Sequence, residues 1–177
     1  MKATKNKPDY FIINATADDY YTICFLFEEA ILFQKKNNYV GWSSYDKDFI
    51  KTDIQKGLLF KMIRGGQIIS IFSICHTDIL IWRDREKGNA VYLHRIVLNQ
   101  EFKGEKVFQK ILEWAIAFSK KTKLKYIRMD TWADNAKIIE YYKSYGFKFV
   151  ETYTTTDTDN LPLQHRKLKV TMLEFTL

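Results

Sequence analysis

Residues 92–115 read YLHRIVLNQEFKGEKVFQKILEWA, and residues 126–147 read YIRMDTWADNAKIIEYYKSYGF. The first stretch begins as a β run and ends in Ile96, Val97 and Leu98. It crosses a short loop holding Lys103, Gly104 and Lys106, then opens a helix that runs from about Glu105 to Lys121. The apolar positions Val107, Phe108, Ile111, Leu112, Trp114, Ala115 and Phe118 fall mainly three and four apart, which marks one buried helical face. The second stretch is a strand, KYIRMDTW, followed by a helix from Asn135 to Tyr145 that Gly146 stops.

Outward from this unit the pattern is plain. Upstream, Tyr10 to Ala15 reads as a strand, and Thr16 as the cap of a helix running from Ala17 to about Lys35. Asp18 and Asp19 sit in its first turn, where carboxylates favour the positive dipole end. After the loop NNYVGWSSYD, Asp46 to Lys56 reads as a second helix, with Gly57 just past its end. LLFKMIR and QIISIFSICHT are β-rich runs joined through Gly65-Gly66, a two-residue hairpin signal, and AVYLHRIVLN is the next strand. Downstream, FKFVETYTT and KLKVTMLEFTL are strands joined by a polar loop containing Pro162. The order β-α-α-β-β-β-α-β-α-β-β predicts an α/β or α+β mixed sheet, mostly antiparallel, with helices on both faces.

Composition bounds the rest. A chain of 177 residues fits one domain, residues 1–177, and buries enough surface to need no disulfide or metal staple. Hydrophobic residues make up 46% and aromatics 16%, which excludes a disordered chain. No apolar run is long enough to span a bilayer, and MKATKNKPDY lacks the apolar stretch of a secretory signal. Cys24 and Cys75 sit among apolar neighbours, which fits reduced thiols in the cytoplasm. Those two cysteines with His76, His94 and His165 show no metal-ligand spacing, so no metal is expected. The 28 Lys+Arg exceed the 21 Asp+Glu, for a formal charge of +7. The lysines are scattered, with short clusters at Lys35-Lys36, Lys120 to Lys125 and Arg166 to Lys169, and no nucleic-acid motif accompanies them. The charge argues less for nucleic acid than for a solvated surface or a field that draws in an anionic small molecule. The loop at Lys103 to Lys106 supplies a place for such a molecule, because helix starts offer unpaired N–H groups and a positive dipole end.

The same stretch resembles the GNAT superfamily of acetyl-CoA-dependent N-acetyltransferases. In that family a strand ending in an apolar triplet leads to a pyrophosphate loop of pattern Gln/Arg-x-x-Gly-x-Gly/Ala. A helix and a strand follow, then an Asn that opens a second helix, a Tyr seven positions on, and Gly-Phe. Here the triplet is Ile96-Val97-Leu98 and the loop is Lys103-Gly104-Glu105-Lys106-Val107-Phe108. The Asn is Asn135, the Tyr is Tyr142, and the final pair is Gly146-Phe147. The loop departs from the pattern in three places: Lys103 for Gln or Arg, Lys106 for Gly, and Phe108 for Gly or Ala.

The resemblance implies a GNAT-like acyl-CoA N-acyltransferase fold with a six- or seven-stranded sheet. It implies acetyl transfer from acetyl-CoA, without a metal, to a primary amine on a small molecule or peptide, by direct attack. Ile96 to Leu98 would pair with the pantetheine arm, Lys103 to Phe108 would hold the pyrophosphate, and Asn135 would reach the pantetheine. Tyr142 would be the general acid for the departing thiolate, a role a phenol suits. Tyr141 and Tyr145, four apart, read as packing residues, and Trp132 as the floor of the cleft. His94 is either a base for the incoming ammonium or a satisfied strand histidine. Glu28, Glu29, Asp46 and His165 are further acceptor-side candidates that the sequence does not rank. The altered loop also fits a non-catalytic acyl-CoA-binding module, and the oligomeric state, a homodimer included, stays open.

Overall fold

The structure, a computed structural model, describes residues 10–161 and 163–177. Residues 1–9 of the N-terminal segment read above, and Pro162, lie outside the described residues. Among the described residues seven strands form one sheet: β1 (Phe11–Asn14), β2 (Leu59–Arg64), β3 (Gln67–Cys75), β4 (Ala90–Leu98), β5 (Tyr126–Trp132), β6 (Lys148–Thr154) and β7 (Lys169–Thr176). Their spatial order is β1-β2-β3-β4-β5-β7-β6. The β4–β5 pair is parallel and the other five are antiparallel, as the crossover through a helix requires.

Among the described residues five α-helices join them: α1 (Tyr20–Lys36), α2 (Lys47–Gln55), α3 (Ile79–Trp82), α4 (Val107–Lys121) and α5 (Ala136–Ser144). A 3-10 turn, Ala17–Asp19, precedes α1, and Thr16 closes a capping box with Asp19. Asp46 caps α2 through the N–H groups of Asp48 and Phe49, and Gly57 (φ +66°) ends it. The α-helix not expected is α3, a single turn too short to show a hydrophobic period; Asp78 caps it.

Helices cover both faces. On one, Ile23, Leu26, Phe27 and Ala30 of α1 and Ile50 of α2 pack on Leu59, Ile71 and Val97 of the sheet. On the other, Val107, Phe108, Ile111, Leu112 and Ala115 of α4 pack on Met62, Phe72, Val91, Ile127 and Met129. The two layers hold β4 and β5 at the middle of the molecule, where their pairing fails. The strands are in register only at Ala90↔Tyr126, Val91↔Ile127 and Tyr92↔Arg128. Beyond Tyr92, β4 bulges: Arg95 has φ +50°, and the register with β3 shifts between Ile71 and Ser73. From there β4 and β5 diverge, and the cleft between them is the candidate site.

Candidate active site

Two cavities meet in the cleft. The larger, about 580 Å³, lies between the end of β4, the Lys103–Phe108 loop and α5. The smaller, about 130 Å³, lies deeper, walled by His94, Asp130, Trp132 and the loop histidine His165. Ile96, Ile138 and Tyr142 line both. The Tyr142 side chain therefore stands where the two spaces join.

Strand alternation decides which main-chain groups reach the larger cavity. The Val97 carbonyl accepts from Ser70 Oγ at 2.8 Å, and Asn99 N–H donates to the Ile69 carbonyl, so residues 97 and 99 turn their polar groups to β3. Ile96 and Leu98, of opposite parity, turn theirs to the β5 side, where β5 no longer pairs. An extended arm laid in the cleft would find a strand edge there.

The loop completes the cavity. Lys106 is the N-cap of α4 and adopts the left-handed conformation (φ +52°, ψ +39°), the backbone that a glycine at this point of the family pattern would take at no steric cost. No side chain caps α4, whereas Asp46 and Asn135 cap α2 and α5. The first amides of α4 thus open on the cavity without a side-chain acceptor. Glu105 is turned away in a bidentate ion pair with Arg64, so it offers the cavity its main chain. Lys103 lays its Nζ 4.9 Å from the Phe33 ring centroid of α1.

Phe108 does not plug the mouth. The residue is 5% exposed, and its ring packs tilted or edge-on against Tyr142 (4.8 Å), Tyr145 (5.1 Å), Tyr141 (5.9 Å) and Phe147 (6.1 Å). The larger residue is absorbed into the α4–α5 interface and forms a wall of the cavity. Tyr141 and Tyr145 pack there as well, with their hydroxyls 3.5 Å apart. Burial, and next to it the Asp130 carboxylate, push the Tyr142 phenol above its ordinary range, so the hydroxyl keeps its proton.

Asn135 has structural duties. Its Oδ1 accepts from Ile138 N–H at the start of α5, and its Nδ2 donates to the Val40 carbonyl, 2.9 Å away, in the α1–α2 loop. That loop roofs the smaller cavity. Trp42 N–H donates to Gln34 Oε1 at 2.9 Å, and Trp42 packs on Trp132 at 5.6 Å. A Cβ at Gly41 would lie 2.1 Å from Gln34 Oε1, so a larger residue there would displace the end of the Gln34 side chain.

The acidic candidates divide. Glu28 and Glu29 sit on the exposed side of α1, where Glu28 accepts from Tyr45, and Asp46 is spent as a cap. The carboxylates in the cleft are ones the sequence did not single out. Asp130 and Asp78 flank His94: Asp130 Oδ1 lies 3.6 Å from Nδ1 and Asp78 Oδ2 lies 3.3 Å from Nε2, all three side chains being at most 10% exposed. Burial holds the Asp130 carboxyl up at about 6. For His94 burial works downward, but Cys75 and Asp78 outweigh it, and its value is raised well above the ordinary one. Arg95 is bound to Asp53 of α2. Burial and the nearby Arg95 and His94 lower His165 to about 3, so it is neutral.

One atom each from Asp78, His94 and Asp130 lies within 4.8 Å of the others. A metal needs a ring nitrogen with a free lone pair. The carboxylates on either side of His94 favour the protonated ring, which has no lone pair to give. Both cysteines are free, Cys24 buried and Cys75 half-buried, and neither lines the cavity that holds Tyr142 and Asp130.

Comparison with known proteins agrees with the fold. The acetyltransferase (GNAT) family model matches residues 18–147. A Bacillus subtilis protein described as the uncharacterized N-acetyltransferase YesJ is 27% identical over 108 residues, 57% of this chain and 58% of that protein's length. Among solved structures, a GNAT-family acetyltransferase of Listeria monocytogenes superposes with a TM-score of 0.77 at 19% identity, covering 95% of each chain. A putative acetyltransferase of Salmonella typhimurium, solved with acetyl-CoA, gives 0.63 at 16% identity over 96% of this chain and 94% of its own. With the family model spanning most of its length and the divergence of β4 and β5 at its centre, the chain belongs to the GNAT acetyltransferase family.

Proposed function

We propose that this protein transfers the acetyl group of acetyl-CoA to a primary amine by direct attack, working as one domain over residues 1–177. The observation that carries the reading is the position of Tyr142 where the cofactor-sized and the smaller cavity join. Acetyl-CoA supplies the acetyl thioester, and the structure of the Salmonella relative was solved with that molecule. The residues present fit it. Ile96 and Leu98 offer main-chain groups on an unpaired strand edge. The uncapped start of α4, with Lys103, Gly104, Lys106, Val107 and Phe108, offers amides and positive charge to a pyrophosphate. Glu105 contributes through its main chain, and Asn135 retains one amide hydrogen for a pantetheine contact. Tyr142, protonated across the working range, donates to the departing sulfur.

The acceptor enters the smaller cavity, between Trp42, Trp132 and His165. The reading places the protein in the cytoplasm. Among the described residues no helix is long and apolar enough to cross a membrane. A homodimer is compatible with the reading, and nucleic acid is not part of it.

The test is calorimetry with acetyl-CoA followed by thiol release across a panel of amines. Binding followed by amine-dependent release is expected. Binding without release across the panel would favour a non-catalytic acyl-CoA-binding module, and absence of binding would refute both.

A further inference from the structure

The acceptor arrives as an ammonium and must lose a proton before it can attack. We propose that Asp130, not His94, receives that proton, and that His94 serves as a fixed imidazolium, held from behind by Asp78, that orients the Asp130 carboxylate. This rests on the acetyltransfer reading above.

Three observations place the roles. Asp130 is on β5, two residues past the last β4–β5 pair, so it stands on the wall of the cleft. Its Oδ1 is buried and has no hydrogen-bond donor, although the side chain is only 4% exposed. Such a group costs free energy unless a ligand satisfies it, and it lines the same cavity as Tyr142. An ammonium seated in that cavity would meet the Asp130 carboxylate. His94, by contrast, lies between two carboxylates, and Asp78 Oδ2 likewise lacks a hydrogen-bond donor. Two buried carboxylates this close require a cation between them, and the imidazole is the group in place to be it.

The other groups facing His94 and Asp130 are Cys75 of β3 and His165 of the β6–β7 loop, together with Arg95, already paired with Asp53, and the Tyr142 hydroxyl. Of the groups behind His94, Asp78 is the carboxylate in contact with its Nε2. A carboxyl near 6 is matched to taking a proton at neutral pH, whereas a histidine raised well above its ordinary value is already full.

The proton account closes. The ammonium gives one proton to Asp130, which passes it to solvent. The C–N bond forms as the C–S bond breaks, and the nitrogen's second proton balances the thiolate, which Tyr142 protonates. The products are the acetamide, a thiol and one released proton.

The experiment compares Asp130→Asn, His94→Gln and Asp78→Asn. Each is assayed for acetyl-CoA-dependent thiol release with spermidine, lysine and tyramine across pH 5–9, alongside calorimetry with acetyl-CoA to verify folding. Asp130→Asn is expected to lower kcat roughly a hundred-fold or more and to remove the acid limb of the profile. His94→Gln removes a cation, so the acid limb should move to higher pH. Asp78→Asn removes an anion that raises Asp130, so the limb should move to lower pH. The opposite shifts are a signature that simple loss of packing would not produce. If His94→Gln abolishes turnover while Asp130→Asn keeps its acid limb, the assignment is reversed and the proposal fails.

A second readout needs no acceptor. Nitrogen-15 NMR of histidine-labelled wild-type protein should show His94 as imidazolium at pH 7.5, and its transition should fall by at least one pH unit in Asp78→Asn. A neutral His94 at pH 7.5 overturns the proposal by itself. A wild-type protein that binds no acetyl-CoA, with His94 still charged, would instead overturn the transfer reading.

Discussion

Replacing Phe108 with alanine would restore a residue the family pattern allows at that position, and it separates two views of the ring. If the ring intrudes on the cofactor, its removal should tighten acetyl-CoA binding at little cost to folding. The structure predicts the opposite. The side chain is 5% exposed and makes close ring contacts to Tyr141, Tyr142, Tyr145 and Phe147, with centroids 4.8–6.1 Å apart. Truncating a buried Phe to Ala costs about 3–5 kcal/mol through lost transfer energy and a residual cavity. The ring borders an open cavity, so water and α5 can partly fill the space, which favours the lower end, about 3 kcal/mol. For a chain of this size that loss lowers Tm by roughly 6–12 °C. Urea unfolding monitored by circular dichroism gives the free energy, and calorimetry gives the acetyl-CoA affinity. A cost under about 1 kcal/mol together with tighter binding would refute the reasoning.

The remaining predictions concern single groups. Tyr142→Phe should reduce turnover at least ten-fold while leaving acetyl-CoA affinity within about two-fold, measured by thiol release and calorimetry; unchanged turnover would remove Tyr142 from the mechanism. Gly146→Ala forces φ +96° on an alanine whose Cβ would lie 3.1 Å from the Phe175 ring. It should cost about 1–2 kcal/mol in urea unfolding, and a neutral result would contradict the tight α5–β6 turn. His165 is lowered to about 3 in the folded protein, against about 6.5 unfolded. The unfolded chain therefore binds a proton that the native state refuses between those values, and its share of stability is lost as pH falls below about 6.5. His165→Gln should flatten the loss of stability between pH 6 and pH 4, and an unchanged slope would mean that His165 is protonated in place.

Most of the fold was legible because local chemistry dictated it. The Gly65-Gly66 turn, the Thr16 cap and the three-and-four spacing of α4 each specify their element without help from afar. The α3 turn was missed because four residues carry no period. The departures of the loop could be seen in the sequence but not their outcome. That Lys106 takes the left-handed backbone, and that the Phe108 ring packs under α5, depend on neighbours far along the chain.

The acidic site was the least legible part. Asp78 reads locally as a helix cap and Asp130 as one polar residue in a strand. Only the parallel placement of β5 beside β4, with α3 following β3, brings them to the two sides of His94. Glu28, Glu29 and Asp46 looked equally suitable by type. Their solvent-facing or capping positions follow from which side of α1 and α2 meets the sheet.

The most direct test of the whole account is a crystal structure of the protein soaked with acetyl-CoA. The pantetheine should lie along Ile96–Leu98 with its diphosphate against the first amides of α4 and its thioester beside the Tyr142 hydroxyl. Density for the cofactor elsewhere, or an empty cleft at saturating concentration, would contradict it.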